Sequence, residues 1–339
     1  MIFLENVARG CMPLLYFLSD LRNFFFDFFF TTITHLGEET LFLLVAIVIF
    51  WCVNKRFGYY VLITGLVGTV LNQFLKIFFR IPRPWVLDTE FNPIEDAVPE
   101  ATGYSFPSGH TQNVAGTYGT IAAFKPGKKR TVVCVIIILL VAFSRMYLGV
   151  HTPLDVGVSL LIALVLILVL RPVFATDESF DRLMPIVVGC SVLISLGFMG
   201  YVLLIKGGAS LDSENYHSAL KNACTLLGCT AGLVPVYFID RKFVRFNTSA
   251  RWYSQFLKLL IGLAGVLVIK SGLATPLTLL FGSEMIGRAV RYFLIVIFAG
   301  IVWPLTFKFF ADLRIEKLDS LGSTVSDKTK ILFRKNTNK

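Results

Sequence analysis

The chain has 339 residues, of which 55% are hydrophobic and 16% charged, with a mean hydropathy of +0.71 and a formal net charge of +10. So little charge excludes an ordinary soluble domain of this length. The basic excess does not mark a nucleic-acid binder, because it is confined to short loops between apolar runs, where Lys and Arg orient membrane proteins.

In chain order, residues 11–34 are rich in Phe but carry Asp20, Arg22 and Asp27, the pattern of a segment lying in the membrane interface. Residues 1–37 lack the basic start, short apolar core and small-residue cleavage site of a signal peptide. Apolar runs of near-spanning length follow at about 39–54, 58–79, 107–124, 131–150, 153–171, 184–205, 218–239, 252–270 and 288–308. A bilayer-crossing helix needs roughly 20 residues, so the expected fold is all-α: a polytopic helical membrane protein with about nine transmembrane helices. Four regions are expected: an interfacial segment 1–37, a catalytic bundle 38–172, a further four-helix membrane region 173–311, and a polar basic tail 312–339.

Lys55, Arg56, Lys125, Lys128, Lys129, Arg130, Arg241, Lys242, Arg245 and Arg251 gather in the loops 54–57, 125–130 and 240–251. The positive-inside rule puts these loops and the tail in the cytoplasm, and the loops 80–106, 206–217 and 271–287 and the His151 region outside. Asn247-Thr248-Ser249 then lies on the wrong side for glycosylation. The six cysteines fall mostly within apolar runs and form no CxxC pair, so they read as small buried hydrophobes.

Three patches on the outward side carry chemistry. In Lys76-Ile-Phe-Phe-Arg80-Ile-Pro-Arg83-Pro84 the prolines stop the second span; alone, its cations would pass for snorkelling anchors. In Pro107-Ser108-Gly109-His110, Ser108 is a natural N-cap and Gly109 lets backbone approach a ligand at a helix N-terminus. In Ser144-Arg145…His151-Thr-Pro-Leu-Asp155, three ionisable residues fall within an otherwise apolar stretch, and Asp155 also suits a helix-start acid. His110, His151 and Asp155 could ligate a metal, but Lys76, Arg83 and Arg145 beside them would repel one. Three cations, a glycine and a helix N-terminus suit a multiply charged anion, and the apolar surround suits a lipid tail.

The pattern K-x6-RP, PSGH and SR-x5-H-x3-D, present in full at Lys76–Pro84, Pro107–His110 and Ser144–Asp155, resembles the type 2 phosphatidic acid phosphatase superfamily over about residues 40–170. The resemblance implies that His151 is the nucleophile, forming a phosphohistidine, with Asp155 holding its other nitrogen and His110 protonating the leaving oxygen. It implies that Lys76, Arg83, Arg145, Ser108 and the Gly109 amide bind phosphate oxygens, with no metal or cofactor. The expected activity is hydrolysis of a lipid phosphate or diphosphate (phosphatidate-like, polyprenyl or sphingoid) at the outer face of a cell membrane. Transfer to an acceptor other than water, and lipid-phosphate binding or transport without turnover, stay open. The acidic loop 85–106 (Asp88, Glu90, Glu95, Asp96, Glu100; no Lys or Arg) reads either as a solvated loop or as a gate that selects by repulsion.

Overall fold

The computed structural model describes residues 2–205 and 213–315. Lys206 and most of the basic tail expected at 312–339 therefore lie outside the described residues. What is described is helical, with no strand. Three short helices, α1 (Ile2–Gly10), α2 (Met12–Asp20) and α3 (Phe24–Thr34), lead into α4 (Glu39–Val48), α5 (Lys55–Phe79), the short α6 (Pro84–Leu87), α7 (Gly109–Phe124), α8 (Lys128–Tyr147) and α9 (Pro153–Leu170). Then come α10 (Asp177–Leu204), α11 (Ser213–Ile239), α12 (Trp252–Gly272), α13 (Ala274–Phe281), α14 (Glu284–Ile297) and α15 (Phe307–Asp312). Single π-helical turns extend α4, α11 and α14.

Local signals set the boundaries. Asn54 caps α5 by accepting from Phe57 N, and Arg80 ends it in the left-handed region (φ 53), its N–H on Lys76 O. Pro82 and Pro84 keep the helix from resuming, and Pro84 starts α6 instead. Ser108 caps α7, and Thr152 with Asp155 forms a reciprocal capping box on α9.

Seven helical stretches are long and apolar enough to cross a membrane; the bent pair Phe24–Gly37 and Glu39–Val53, which meets at 51°, raises the number to eight. The expected count of nine is not confirmed. Its missing member is α7, whose 16 residues are fewer than a full crossing needs and whose sequence is rich in Thr and Gly. It is sheltered instead among α4, α5, α8 and α9.

α5 is the most enclosed of the spans. It touches α7 and α9 on one side and α10 and α11 on the other. One apolar core accordingly runs from Phe50, Tyr60 and Val70 through Phe174 and Met184 to Leu233 and Phe307, joining the two membrane regions expected from the sequence. α8 and α9 turn outward faces of Val133, Ile136 and Leu139, and of Leu161, Leu164 and Leu168, the surface a bilayer would cover.

The basic loops share one end of the bundle. There Lys55 pairs with Asp240 (2.7 Å), Arg56 with Asp177 (2.8 Å) and Arg241 with Asp181 (3.1 Å), and Phe57 stacks on Phe124. The three patches of the sequence lie at the other end. The N-terminal helices pack over that end too. Arg9 donates to Leu87 O (2.6 Å), Tyr16 to Asp88 (2.9 Å) and Arg22 to Asn92 O (2.6 Å), while Phe24, Phe25 and Phe28 stay exposed.

Glycine sets the closest helix approach in the C-terminal half. A Cβ on Gly228 of α11 would stand 2.2 Å from Ala289 O on α14, whereas one on Gly189 of α10 meets nothing within 4 Å. Gly228→Ala must push two backbones apart and should cost about 1–3 kcal/mol. Gly189→Ala should be neutral or slightly stabilising. Thermal unfolding of the two variants in detergent, read by size-exclusion recovery, measures the difference.

Candidate active site

The first patch delivers its cations through the end of α5. Lys76 lies on the last turn and is 8% exposed; its Nζ donates to Tyr104 O (2.7 Å) and Ser105 O (3.3 Å). The left-handed Arg80 and the two prolines then turn the chain so that Arg83, in extended backbone, points back beneath the loop. Its guanidinium donates to Gly103 O (3.0 Å), Thr102 O (2.8 Å) and Val150 O (2.9 Å). Four consecutive loop carbonyls, 102 to 105, thus satisfy the N–H groups of two cations by dipole rather than by charge.

Arg83 Nη1 also lies 3.0 Å from His151 Nε2. A guanidinium N–H can only donate, so Nε2 must accept and the ring proton resides on Nδ1. Nδ1 lies 3.4 Å from Asp155 Oδ2 and 3.5 Å from Ser105 Oγ. His151 is 2% exposed and sits in the turn between α8 and α9. Burial first, and then Arg83, Lys76, Arg145 and His110, hold its imidazole well below the ordinary histidine range. The ring is neutral, with a lone pair on Nε2.

Asp155 has no exposure. Its Oδ2 accepts from Ser105 Oγ (2.6 Å) and Thr152 N (2.7 Å), while Oδ1 has no hydrogen-bond partner. Both sequence readings of Asp155 therefore coexist: it caps α9 and it faces the imidazole. Arg145, 1% exposed, donates through Nη1 to Thr34 Oγ1 (2.7 Å), and its Nε has no hydrogen-bond partner. His110 Nε2 stands 3.4 Å from Glu100 Oε2 without forming a hydrogen bond.

Lys76, Arg83, Gly109, His110, Arg145 and His151 line one cavity of about 410 Å³. The structure thus brings together six of the eight residues singled out from the sequence. The other two stand behind the wall: Asp155 beneath His151, and Ser108, fully buried, whose Oγ accepts from Thr111 N and Thr111 Oγ1. A space lined by three cations and two histidines, with a helix N-terminus and its unprotected glycine at the edge, accepts a tetrahedral oxyanion.

Ser105 and Thr34 were not singled out by sequence reasoning, and Glu100 was named only as part of the acidic loop. Ser105 lay in view beside Pro107 and Ser108, but only the fold brings its hydroxyl to Asp155. On the rim, a His35 ring nitrogen and carboxylate oxygens of Glu38 and Glu100 lie within 4.8 Å of one another, and His35 is hydrogen-bonded to Glu38. This is the group, among the described residues, with the donors to hold a cation.

Fold and site together define a polytopic helical membrane protein whose buried cations surround a neutral histidine. Residues 55–178 match the model of the PAP2 superfamily, and residues 221–314 match that of the PAP2 superfamily phosphatase transmembrane extension. The chain thus carries a PAP2 superfamily domain followed by the transmembrane extension of PAP2 superfamily phosphatases. It is 34% identical to an undecaprenyl-diphosphatase of Bacillus subtilis over 33% of this chain and 55% of that one. It is 28% identical to a probable sphingosine-1-phosphate phosphatase of Dictyostelium discoideum (49% of this chain, 43% of that one), and 32% identical to phosphatidylglycerophosphatase B of Bacillus subtilis (37% and 64%). The chain spans about half the length of the curated relatives it matches. No solved structure matches it.

Inorganic vanadate, as a tetrahedral oxyanion, should raise the melting temperature of the protein. Arg83→Met and Arg145→Met should each weaken that binding about 10- to 100-fold, the worth of a charge-assisted hydrogen bond. A thermal-shift titration in detergent measures it, and undiminished binding by both variants would remove the anion from this cavity.

Proposed function

We propose that this chain is a membrane lipid phosphatase, hydrolysing a lipid phosphate or diphosphate (phosphatidate-like, polyprenyl or sphingoid) through a phosphohistidine. The single observation that supports it most is the contact of Arg83 Nη1 with His151 Nε2 at the wall of the cation-lined cavity. It leaves an unprotonated nitrogen beside the place where an anion would sit. The relatives, named as phosphatases of lipid phosphates and diphosphates, agree with this reading.

In the first step the His151 Nε2 lone pair forms a bond to phosphorus while the bond from phosphorus to the lipid oxygen breaks. His110 gives its proton to that oxygen. Asp155 stabilises the positive charge that develops on the imidazole, through the Nδ1 proton. Lys76, Arg83, Arg145 and the Gly109 amide hold the three equatorial oxygens, where charge accumulates, with Ser108 behind them as the cap of α7. In the second step a water loses its proton to His110 as its oxygen bonds to phosphorus. The bond from phosphorus to Nε2 breaks, releasing phosphate and restoring His151.

His151→Ala should abolish phosphate release and the trapping of a ³²P-labelled protein. His110→Ala should lose more rate on poor leaving groups than on good ones, because an oxygen that departs easily needs no proton. Quench-flow labelling and rates on a leaving-group series check both. Turnover should survive EDTA, since fixed cations supply the positive charge. Complete loss, restored by Mg²⁺ or Zn²⁺, would instead assign a metal to the rim group of His35, Glu38 and Glu100.

The same reading puts the site on the extracytoplasmic face of a cell membrane, supported by the collection of the basic loops at the opposite end of the bundle. In a background lacking native cysteines, exposed Thr89→Cys should react with a membrane-impermeant maleimide in intact cells. Gly127→Cys should react only after permeabilisation. The reverse pattern would place the chemistry in the cytoplasm.

A further inference from the structure

The cavity is larger than a phosphate requires, and its remainder is lined by amides. Asn72 stands one turn before Lys76 on the same face of α5, so it faces the same space further into the bundle. Gln112 is two residues beyond His110 on α7 and lies against Gly68, one turn before Asn72: a Cβ at Gly68 would meet Gln112 Nε2 at 2.5 Å. Both amides are 1% exposed, and neither the oxygen nor the nitrogen of either has a hydrogen-bond partner. Two amides orphaned at all four polar atoms are unusual in a folded chain, where leaving a buried polar group unsatisfied costs about 1–3 kcal/mol.

The opposite wall comes from the transmembrane extension and the helix that leads into it. Asn215, Ser218 and Asn222 follow one another at helical spacing along α11 and line the cavity. Asn222 Nδ2 donates to Gln73 Oε1 (3.2 Å), which fixes α11 against α5.

We infer that Asn72 and Gln112, faced by Asn215 and Ser218 of α11, form a subsite that binds a hydroxyl-bearing part of the substrate next to its phosphoester. The inference rests on the lipid phosphatase reading and deepens it. A primary amide offers two donors and an acceptor, and a hydroxyl offers one donor and two lone pairs, so each satisfies the other without a net charge. The cationic end takes the phosphate and the amide end takes the neutral polar group, so a substrate carrying both is held at two points. A lipid phosphate whose alcohol has no hydroxyl leaves the amides unpaired, and such sites discriminate strongly against the analogue that lacks the group. The helix that leads into the extension thereby becomes part of the substrate site.

The test uses the full-length protein in detergent and two substrates that differ by one oxygen, hexadecyl phosphate and 2-hydroxyhexadecyl phosphate. The wild type should favour the hydroxylated substrate by about tenfold or more in kcat/KM, expressed mainly in KM. Asn72→Leu and Gln112→Leu should each bring that ratio close to one, and Asn72→Asp, which keeps an acceptor of the same shape, should retain part of it. Independently, the matching non-hydrolysable phosphonates should raise the melting temperature of the wild type unequally, the hydroxylated one more. That arm decides even where a leucine variant fails to fold. Equal turnover of both phosphates with equal stabilisation by both phosphonates overturns the subsite and leaves the phosphatase standing. Unequal stabilisation without turnover overturns the phosphatase and leaves the subsite. Leucine variants that keep the wild-type ratio assign the two amides to ordered water and overturn the inference.

Discussion

Three buried cations share one buried carboxylate, and the rest of the site follows from that imbalance. Lys76, Arg83 and Arg145 are each under a tenth exposed, and Asp155 is the buried acid among them. Buried charge is costly to leave uncompensated. The chain reduces the cost with carbonyl dipoles from residues 102 to 105 and with the Thr34 hydroxyl rather than with further carboxylates. Carboxylates would have cancelled the field; dipoles satisfy the N–H groups and leave the positive potential in place for an anion. Burial first, and then the same field, keep the His151 imidazole well below the ordinary histidine range.

This arrangement explains why the acidic loop need not oppose an anionic substrate. Asp88 accepts from Tyr16, and Glu90, Glu95 and Asp96 are exposed; Glu100 alone of the five lines the cavity, beside His110. What the loop presents to Lys76 and Arg83 is backbone. The N-terminal helices hold the loop from the other side through Arg9 and Arg22, each donating to a loop carbonyl. A segment that the sequence marks only as aromatic and interfacial thus helps to fix the shell around the site.

Legibility followed the kind of atom involved. The candidate residues with ionisable side chains, Lys76, Arg83, His110, Arg145, His151 and Asp155, were visible because an ionisable group inside an apolar run has few structural explanations. The residues that act through backbone, 102 to 105, were invisible, since a carbonyl is the same on every residue. The span count of nine is left unconfirmed at α7 for a related reason. Its first residues bring His110 and Gly109 to the cavity, and its apolar content drops accordingly. Apolarity was read as length across the bilayer, whereas α7 is enclosed by protein on several sides and a polar, shorter helix suffices there.

Asn72, Gln112 and the polar positions of α11 were missed because uncharged amides inside apolar helices look like ordinary bundle glue. Asn222 is indeed glue, bonded to Gln73 across the α5–α11 contact. Asn72 and Gln112 are not, since neither has a partner on any helix. The distinction cannot be drawn from residue type and depends on which amides the packing leaves unpaired. α5 is the element that makes it matter. It carries the charged terminus of the catalytic half and, one turn away, the face against which α11 of the extension is docked. A change in how α11 packs on α5, at the Asn222–Gln73 contact for example, is therefore transmitted to the wall of the cavity without touching its cations or histidines. In a bundle built this way, the cations and histidines sit on one half while the walls of the cavity they line are set jointly by both.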